Sequence, residues 1–215
     1  MSMRKVPFVI NEFYHIYNRG TDKRIIFHDQ EDYERFCNLL FLSNSDAGFK
    51  IHFSPKNIFD AFRGGQIVAL GAYCLMPNHF HLLLTPRIGG GISKFMQKVT
   101  TGYSMYYNKK YSRTGTLFQG KFKSEHVDSD RYLKYLFSYI HLNPIKIIES
   151  KWKEEGIKDE NASVCFLKKY LFSSYIDYLG VDRKQKLILN REFFPNYFPT
   201  ARLYEKEIFE WIKKS

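Results

Sequence analysis

The chain has 215 residues, 44% of them hydrophobic, which suits one ample core or one core with an appended segment. Its 33 Lys and Arg against 22 Asp and Glu leave it at a formal +11, a surplus that favours polyanionic partners. No run approaches the roughly 18 apolar residues of a membrane span, and the opening MSMRKVPFVINEF has too short an apolar stretch for a signal peptide, so a cytoplasmic protein without membrane partners is expected. Cys37, Cys74 and Cys165 are odd in number and widely spaced, which argues against a disulfide framework or a CxxC metal site and predicts buried thiols.

In chain order, FYHIYN at 13–18 is rich in β formers and ends at the Arg19-Gly20 turn, predicting a first strand. Residues 29–43 start with acids suited to a helix N-terminus and repeat apolar groups at Tyr33, Phe36, Leu39 and Leu40, predicting a helix. A short strand is expected at 49–53. Two more are expected at 66–75, interrupted by Gly71, and at 78–85, with Met76-Pro77 between them. Residues 86–91 read as a loop ending in three glycines, after which Ser93 stands at the N-cap of a helix reaching about Lys110. Residues 116–127 alternate as a strand with Gly120 at a bulge. Asp128 or Ser129 then caps a helix with Leu133, Leu136 and Ile140 on one stripe, and Pro144 stops it. Beyond lie Trp152, the SSYIDYLG stretch from Ser173 and a short terminal helix ending at Trp211. With no GxGxxG or Walker loop, this order favours an α+β layer, with helices on one face of a mostly antiparallel sheet.

The charge is unevenly placed. From Ala61 to Ser124 there is no Asp or Glu, while Arg63, Arg87, Lys94, Lys98, Lys109, Lys110, Arg113, Lys121 and Lys123 fall in that stretch, which predicts a phosphate-binding face. Tyr103, Tyr106, Tyr107 and Tyr111 interleave with these cations, the makeup of a base-stacking surface or of ordinary helix packing. Inside the acid-free stretch sits MPNHFHLLL at 76–84. Strand alternation puts His79 and His81 on one face and Phe80, Leu82 and Leu84 on the other, so the apolar face packs on helices and the histidines look outward. Two such imidazoles are either satisfied polar residues or ligands converging on one ion. In RYLKYLFSYIHLNPIK, Tyr139 and Asn143 are four apart and share a helical face, from which Asn143 could supply an oxygen ligand beside the Tyr139 hydroxyl. His141 points elsewhere and reads as structural, and His15, His28, His52 and His126 carry no partner pattern.

MPNHFHLLL, YHIYNRG at 14–20, GTLFQGKFKS at 115–124 and YIHLNP at 139–144 together resemble, in order, the motifs of REP-associated tyrosine transposases. These belong to the single-tyrosine HUH transposases of bacterial insertion sequences. The resemblance runs from about residue 7 to 148 and weakly to 180. It implies a ferredoxin-like catalytic domain over 1–148, with 149–215 a helical extension packed on it. It also implies an enzyme that nicks and rejoins single-stranded DNA beside a hairpin, as a monomer or as a homodimer in which Tyr139 could act in trans. Carried over, Tyr139 is the nucleophile that becomes joined to the 5′-phosphate, and His79 and His81 bind Mg²⁺ or Mn²⁺. Asn143 stands where the wider superfamily often has glutamine as third ligand. Asn18, Arg19, Lys94, Lys98, Arg113, Gln119, Lys121 and Lys123 are the expected DNA contacts. The competing readings are a hairpin-binding regulator without chemistry and a metal-dependent phosphodiesterase that uses water.

Overall fold

The computed structural model describes residues 7–47 and 58–210. Its first elements alternate as β1 (Phe13–Arg19), α1 (Gln30–Ser43), β2 (Val68–Met76), β3 (His79–Pro86), α2 (Gly91–Lys110) and β4 (Lys123–Val127). Neighbouring strands are all antiparallel, in the order β2-β3-β1-β4, so the βαββαβ sequence closes into a ferredoxin-like sheet. The strand expected at 49–53, His52 and the end of the terminal helix at Trp211 lie outside the described residues.

Alternation along the strands sorts two cores. Tyr14 and Ile16 of β1 and Phe80, Leu82 and Leu84 of β3 pack with Phe36 and Leu40 of α1 and Phe95, Val99 and Tyr103 of α2. That is the helical layer expected. The opposite face is covered as well, which corrects the expectation of helices mainly on one side: Ala72 and Cys74 of β2 and Leu83 of β3 meet Leu136, Phe137 and Ile140 of α3 (Asp130–Leu142). The reason lies in β2, whose VALGAYCLM run is buried at every position and so needs a partner on both faces. The β2–β3 register shifts between Leu70 and Ala72, so a bulge at Gly71 reverses which side chains face which core. A Cβ on Gly71 would stand 2.8 Å from the Phe194 ring.

The described residues then form α4 (Trp152–Glu155), α5 (Glu160–Lys169), α6 (Tyr175–Tyr178) and α7 (Ala201–Glu210), with short 3-10 turns between them. Trp152, Leu167, Tyr175, Tyr204 and Ile208 from these segments complete the second core. The same region runs along the outer edge of β2. Leu75 N donates to Phe172 O (2.9 Å), Ser174 N to Tyr73 O (3.0 Å) and Asn190 N to Leu70 O (2.8 Å). Arg183 holds this strap by donating to Ser173 O (2.7 Å), Tyr73 Oη (3.0 Å) and Asp177 Oδ2 (2.6 Å). Among the described residues, no helix is long and apolar enough to cross a membrane.

Several boundaries differ from expectation. α2 begins at Gly91 rather than after Ser93, with Gly90 at φ 70° as the left-handed residue before it. Gly91 is fitted against backbone: an added Cβ would lie 2.2 Å from Ile67 O. Gly91→Ala is therefore expected to lower stability by about 1–3 kcal/mol, the usual result of overpacking, as measured by denaturant unfolding. The strand expected over 116–127 is only Lys123–Val127, because Gly115 (φ 83°) and Gly120 (φ 68°) turn the preceding chain away, leaving a single bridge between Gly20 and Phe118. Pro144 ends α3, yet Asn143 stays helical (φ −51°, ψ −38°) and the chain continues as a 3-10 turn, Asn143–Ile147. Cys37 and Cys74 are buried as expected, whereas Cys165 is exposed.

Candidate active site

The β2–β3 hairpin turns at Pro77-Asn78, and this turn is tied to the loop after β1: Gly20 N donates to Asn78 O (2.9 Å) and Ile26 N to Pro77 O (2.8 Å). His79 therefore follows directly on a fixed turn. Across the sheet, Arg19 pairs with His79 and Tyr17 with His81, which sets His15, Tyr17, His79 and His81 on one face by alternation. The histidines do not look into open solvent, because α3 lies over this face. His81 is 6% exposed. The Tyr139 ring stands edge-on to His81 (5.5 Å between centroids) and to His15 (5.7 Å), and His79 and His81 are 5.0 Å apart.

Hydrogen bonds decide which imidazole nitrogens are available. His79 Nδ1 lies 2.6 Å from Asn78 Oδ1, an acceptor, so Nδ1 carries the proton. His81 Nδ1 meets His15 Nε2 at 2.8 Å. Glu125 Oε2 stands 3.7 Å from His15 Nδ1 and favours the proton there, which makes His15 Nε2 the acceptor and His81 Nδ1 the donor. The His79 and His81 rings thus keep a bare Nε2 with no partner among the described residues. Burial, followed by the nearby Lys146, Lys153 and Arg19, lowers the pKa of His79 to about 4. Burial, His15, His79 and Lys153 drive His81 well below the usual value. His15 also falls to about 4, its burial outweighing the upward pull of Glu125. All three rings are neutral at neutral pH, as metal donors must be.

Asn143 is buried, and its Nδ2 donates to Tyr139 O (2.7 Å), which leaves Oδ1 uncommitted. Among the described residues, no group of three or more His, Cys, Asp or Glu could hold a metal ion. The donors that could do so are therefore the two Nε2 atoms and the Asn143 amide oxygen, with any remaining positions left to substrate or water. Burial raises the Tyr139 hydroxyl, while Asn143 and Lys146 pull against that rise.

These groups line one pocket of about 610 Å³ that also contains Tyr17, Asn18, Arg19, Lys23, Met76, Asn78, Gln119, Lys123, Lys146 and Lys153. Five cations and no carboxylate line it, so it is suited to a phosphate. Of the residues picked out by sequence, Tyr139, His79, His81, Asn143, Asn18, Arg19, Gln119 and Lys123 meet here. Arg19 and Gln119 are hydrogen-bonded to each other. Lys121 lies instead in a neighbouring groove of about 740 Å³ between α2 and the chain at 115–122, which shares Asn18 with the pocket. Lys94, Lys98 and Arg113 line neither: Lys94 is exposed on α2, Lys98 Nζ donates to Ser45 O (2.7 Å), and Arg113 lies over the Tyr107 ring. Tyr17, Lys23, Met76, Asn78, Lys146 and Lys153 of this pocket are not picked out by the sequence, and His15, read as carrying no partner pattern, meets His81 behind it. His15 had one legible signal, being two positions from Tyr17 on a strand already expected.

The tyrosines of α2 do not form a stacking surface. Tyr103 and Tyr107 are buried, and Tyr106 and Tyr111 donate to Asp32 at 3.0 and 2.7 Å.

A solved structure of a REP-associated tyrosine transposase bound to a REP hairpin is similar in fold, with a TM-score of 0.53 and 11% identity over 91% of this chain and 89% of that one. A Deinococcus radiodurans R1 protein assigned as a transposase overlaps 64% of this chain and 95% of its own, with a TM-score of 0.37 and 16% identity. No curated protein matches significantly. The family model described as "Transposase IS200 like" matches residues 13–143, a span that takes in the whole sheet, both histidines, Tyr139 and Asn143. The chain belongs to the IS200-like transposase family.

Proposed function

We propose that the protein nicks and rejoins single-stranded DNA beside a hairpin through a 5′-phosphotyrosine at Tyr139, with Mg²⁺ or Mn²⁺ held by His79, His81 and Asn143. The observation that carries this reading is the convergence of a tyrosine hydroxyl, two neutral imidazoles with bare Nε2 atoms and five cations in one acid-free pocket. A hairpin partner is supported by the bound REP hairpin of the structural neighbour. Tyr139 reaches the histidines of its own chain, which supports action in cis.

In the step, Tyr139 Oη attacks the scissile phosphorus. The Oη–P bond forms as the P–O3′ bond breaks, leaving a free 3′-hydroxyl. One phosphodiester replaces another, so rejoining by the reverse step needs no ATP. The cations hold the phosphate, and α3 keeps the phenol within reach. His79, His81 and Asn143 would hold a divalent ion, whose chemistry there would be to polarise the phosphate and stabilise charge developing on its oxygens. Imidazole donors suit Mn²⁺ better than Mg²⁺, which prefers oxygen.

The test is incubation with single-stranded DNA carrying a hairpin plus Mn²⁺, read as a covalent protein–DNA band on a denaturing gel. Product without such a band would favour water as the nucleophile, and salt-sensitive binding without product would favour a regulator.

His15 orients His81 in this scheme. His15→Phe is expected to raise the Mn²⁺ concentration for half-maximal cleavage by about 10- to 100-fold, the usual effect of removing an outer partner of a ligand, as read in a metal titration.

A further inference from the structure

The 2.9 Å contact between Lys153 Nζ and Tyr139 Oη comes from outside the matched family region, which ends at residue 143. It is set up by α4. Trp152 is buried in the second core and anchors this short helix, and the next side chain, Lys153, enters the pocket. Its neighbours are otherwise engaged: Lys151 and Lys158 both pair with Glu155, at 3.4 and 2.7 Å. Among the described residues, Lys153 has no carboxylate partner. Its ammonium lies 4.0 Å from the Tyr139 ring centroid as well as beside the hydroxyl oxygen.

We propose that Lys153 is a further catalytic residue, which stabilises the Tyr139 phenolate both when it attacks and when it leaves. This rests on Tyr139 being the nucleophile. In cleavage, the phenol proton passes to water in the open pocket and the phenolate oxygen accepts a charge-assisted hydrogen bond from Lys153 Nζ. Oη–P then forms, P–O3′ breaks, and the departing 3′-oxygen takes a proton from water. In rejoining, the 3′-hydroxyl attacks and loses its proton to water. Oη departs with the electron pair of the Oη–P bond, and Lys153 is again beside it. A tyrosine with an ordinary pKa of about 10 is a weak nucleophile near neutral pH, so a cation 2.9 Å from this oxygen serves both directions.

The test compares Lys153→Met and Lys153→Arg with the wild-type full chain. Lys153→Met should slow both formation of the covalent adduct and its reversal by added 3′-hydroxyl DNA by about 10- to 100-fold, the range for a lost charge-assisted hydrogen bond. Hairpin binding should fall far less than either rate, since the four other cations of the pocket remain, and Lys153→Arg should recover part of both rates. A readout without DNA uses an aryl sulfonyl fluoride, whose transfer to Tyr139, followed by peptide mass spectrometry, should slow in Lys153→Met. Equal rates for Lys153→Met and wild type in both assays would overturn the proposal, as would a loss of hairpin binding equal to the loss of rate. If the wild type forms no DNA adduct while sulfonyl transfer still depends on Lys153, the transposition chemistry fails and the Lys153–Tyr139 pairing stands.

Discussion

Tyr139→Phe is expected to remove the covalent protein–DNA adduct and to lower cleavage by roughly 10⁴-fold or more, the scale seen when a covalent nucleophile is deleted. The substitution takes away only Oη. The ring that packs edge-on against His15 and His81 is kept, and so are the backbone hydrogen bond to Asn143 and the five cations of the pocket. Hairpin affinity should therefore stay within about twofold of wild type, since phosphate contacts dominate binding to nucleic acid. The two measurements are a denaturing gel for the adduct and a mobility shift for binding. Undiminished cleavage by the variant would remove Tyr139 from the mechanism.

His79→Ala is expected to lower Mn²⁺-supported cleavage by about 10²-fold or more, since it deletes a ligand rather than an outer partner. His79 is the better of the two histidines to replace. It is half-buried and hydrogen-bonded to the adjacent Asn78, whereas His81 is buried against His15 and its loss would leave His15 Nε2 without that partner. Calorimetric titration with Mn²⁺ should show weakened binding to the variant, and excess Mn²⁺ should restore part of the activity. Wild-type cleavage that continues unchanged in EDTA would show that the metal has no part in the step.

The helices and the central strands were legible because their patterns are strong and local. Asp29 caps α1 through Asp32 N and Ser129 caps α3 through Tyr132 N, as the acid and hydroxyl positions suggest. The HFH alternation placed two imidazoles together, and the four-residue spacing placed Asn143 beneath Tyr139. What escaped was everything that depends on distant chain segments. His15 meets His81 across 66 positions, and Lys153 arrives from a four-residue helix that carries no periodicity of its own. The acid-free stretch was real as sequence but not as one surface. Lys110, which lies within it, folds onto Asp29, Glu31 and Asp32 of α1, at 2.8, 2.9 and 3.0 Å. A charge run in one dimension says nothing of the acids that another element brings to it. The second helical layer was hidden for a related reason: a strand buried on both faces shows no alternation to reveal which face carries the additional core.

The strap at 172–174 and 190 has a consequence for assembly. By occupying the backbone donors and acceptors along the outer side of β2, it leaves β4 as the open edge among the described strands. That strand is five residues long, and its KSEHV sequence carries charge and little apolar surface, so it is a poor template for a strand from another molecule. Extension of one sheet into that of a second copy is therefore disfavoured at this edge. The face that carries His79 and His81 belongs to the two central strands, β1 and β3, away from either edge of the sheet.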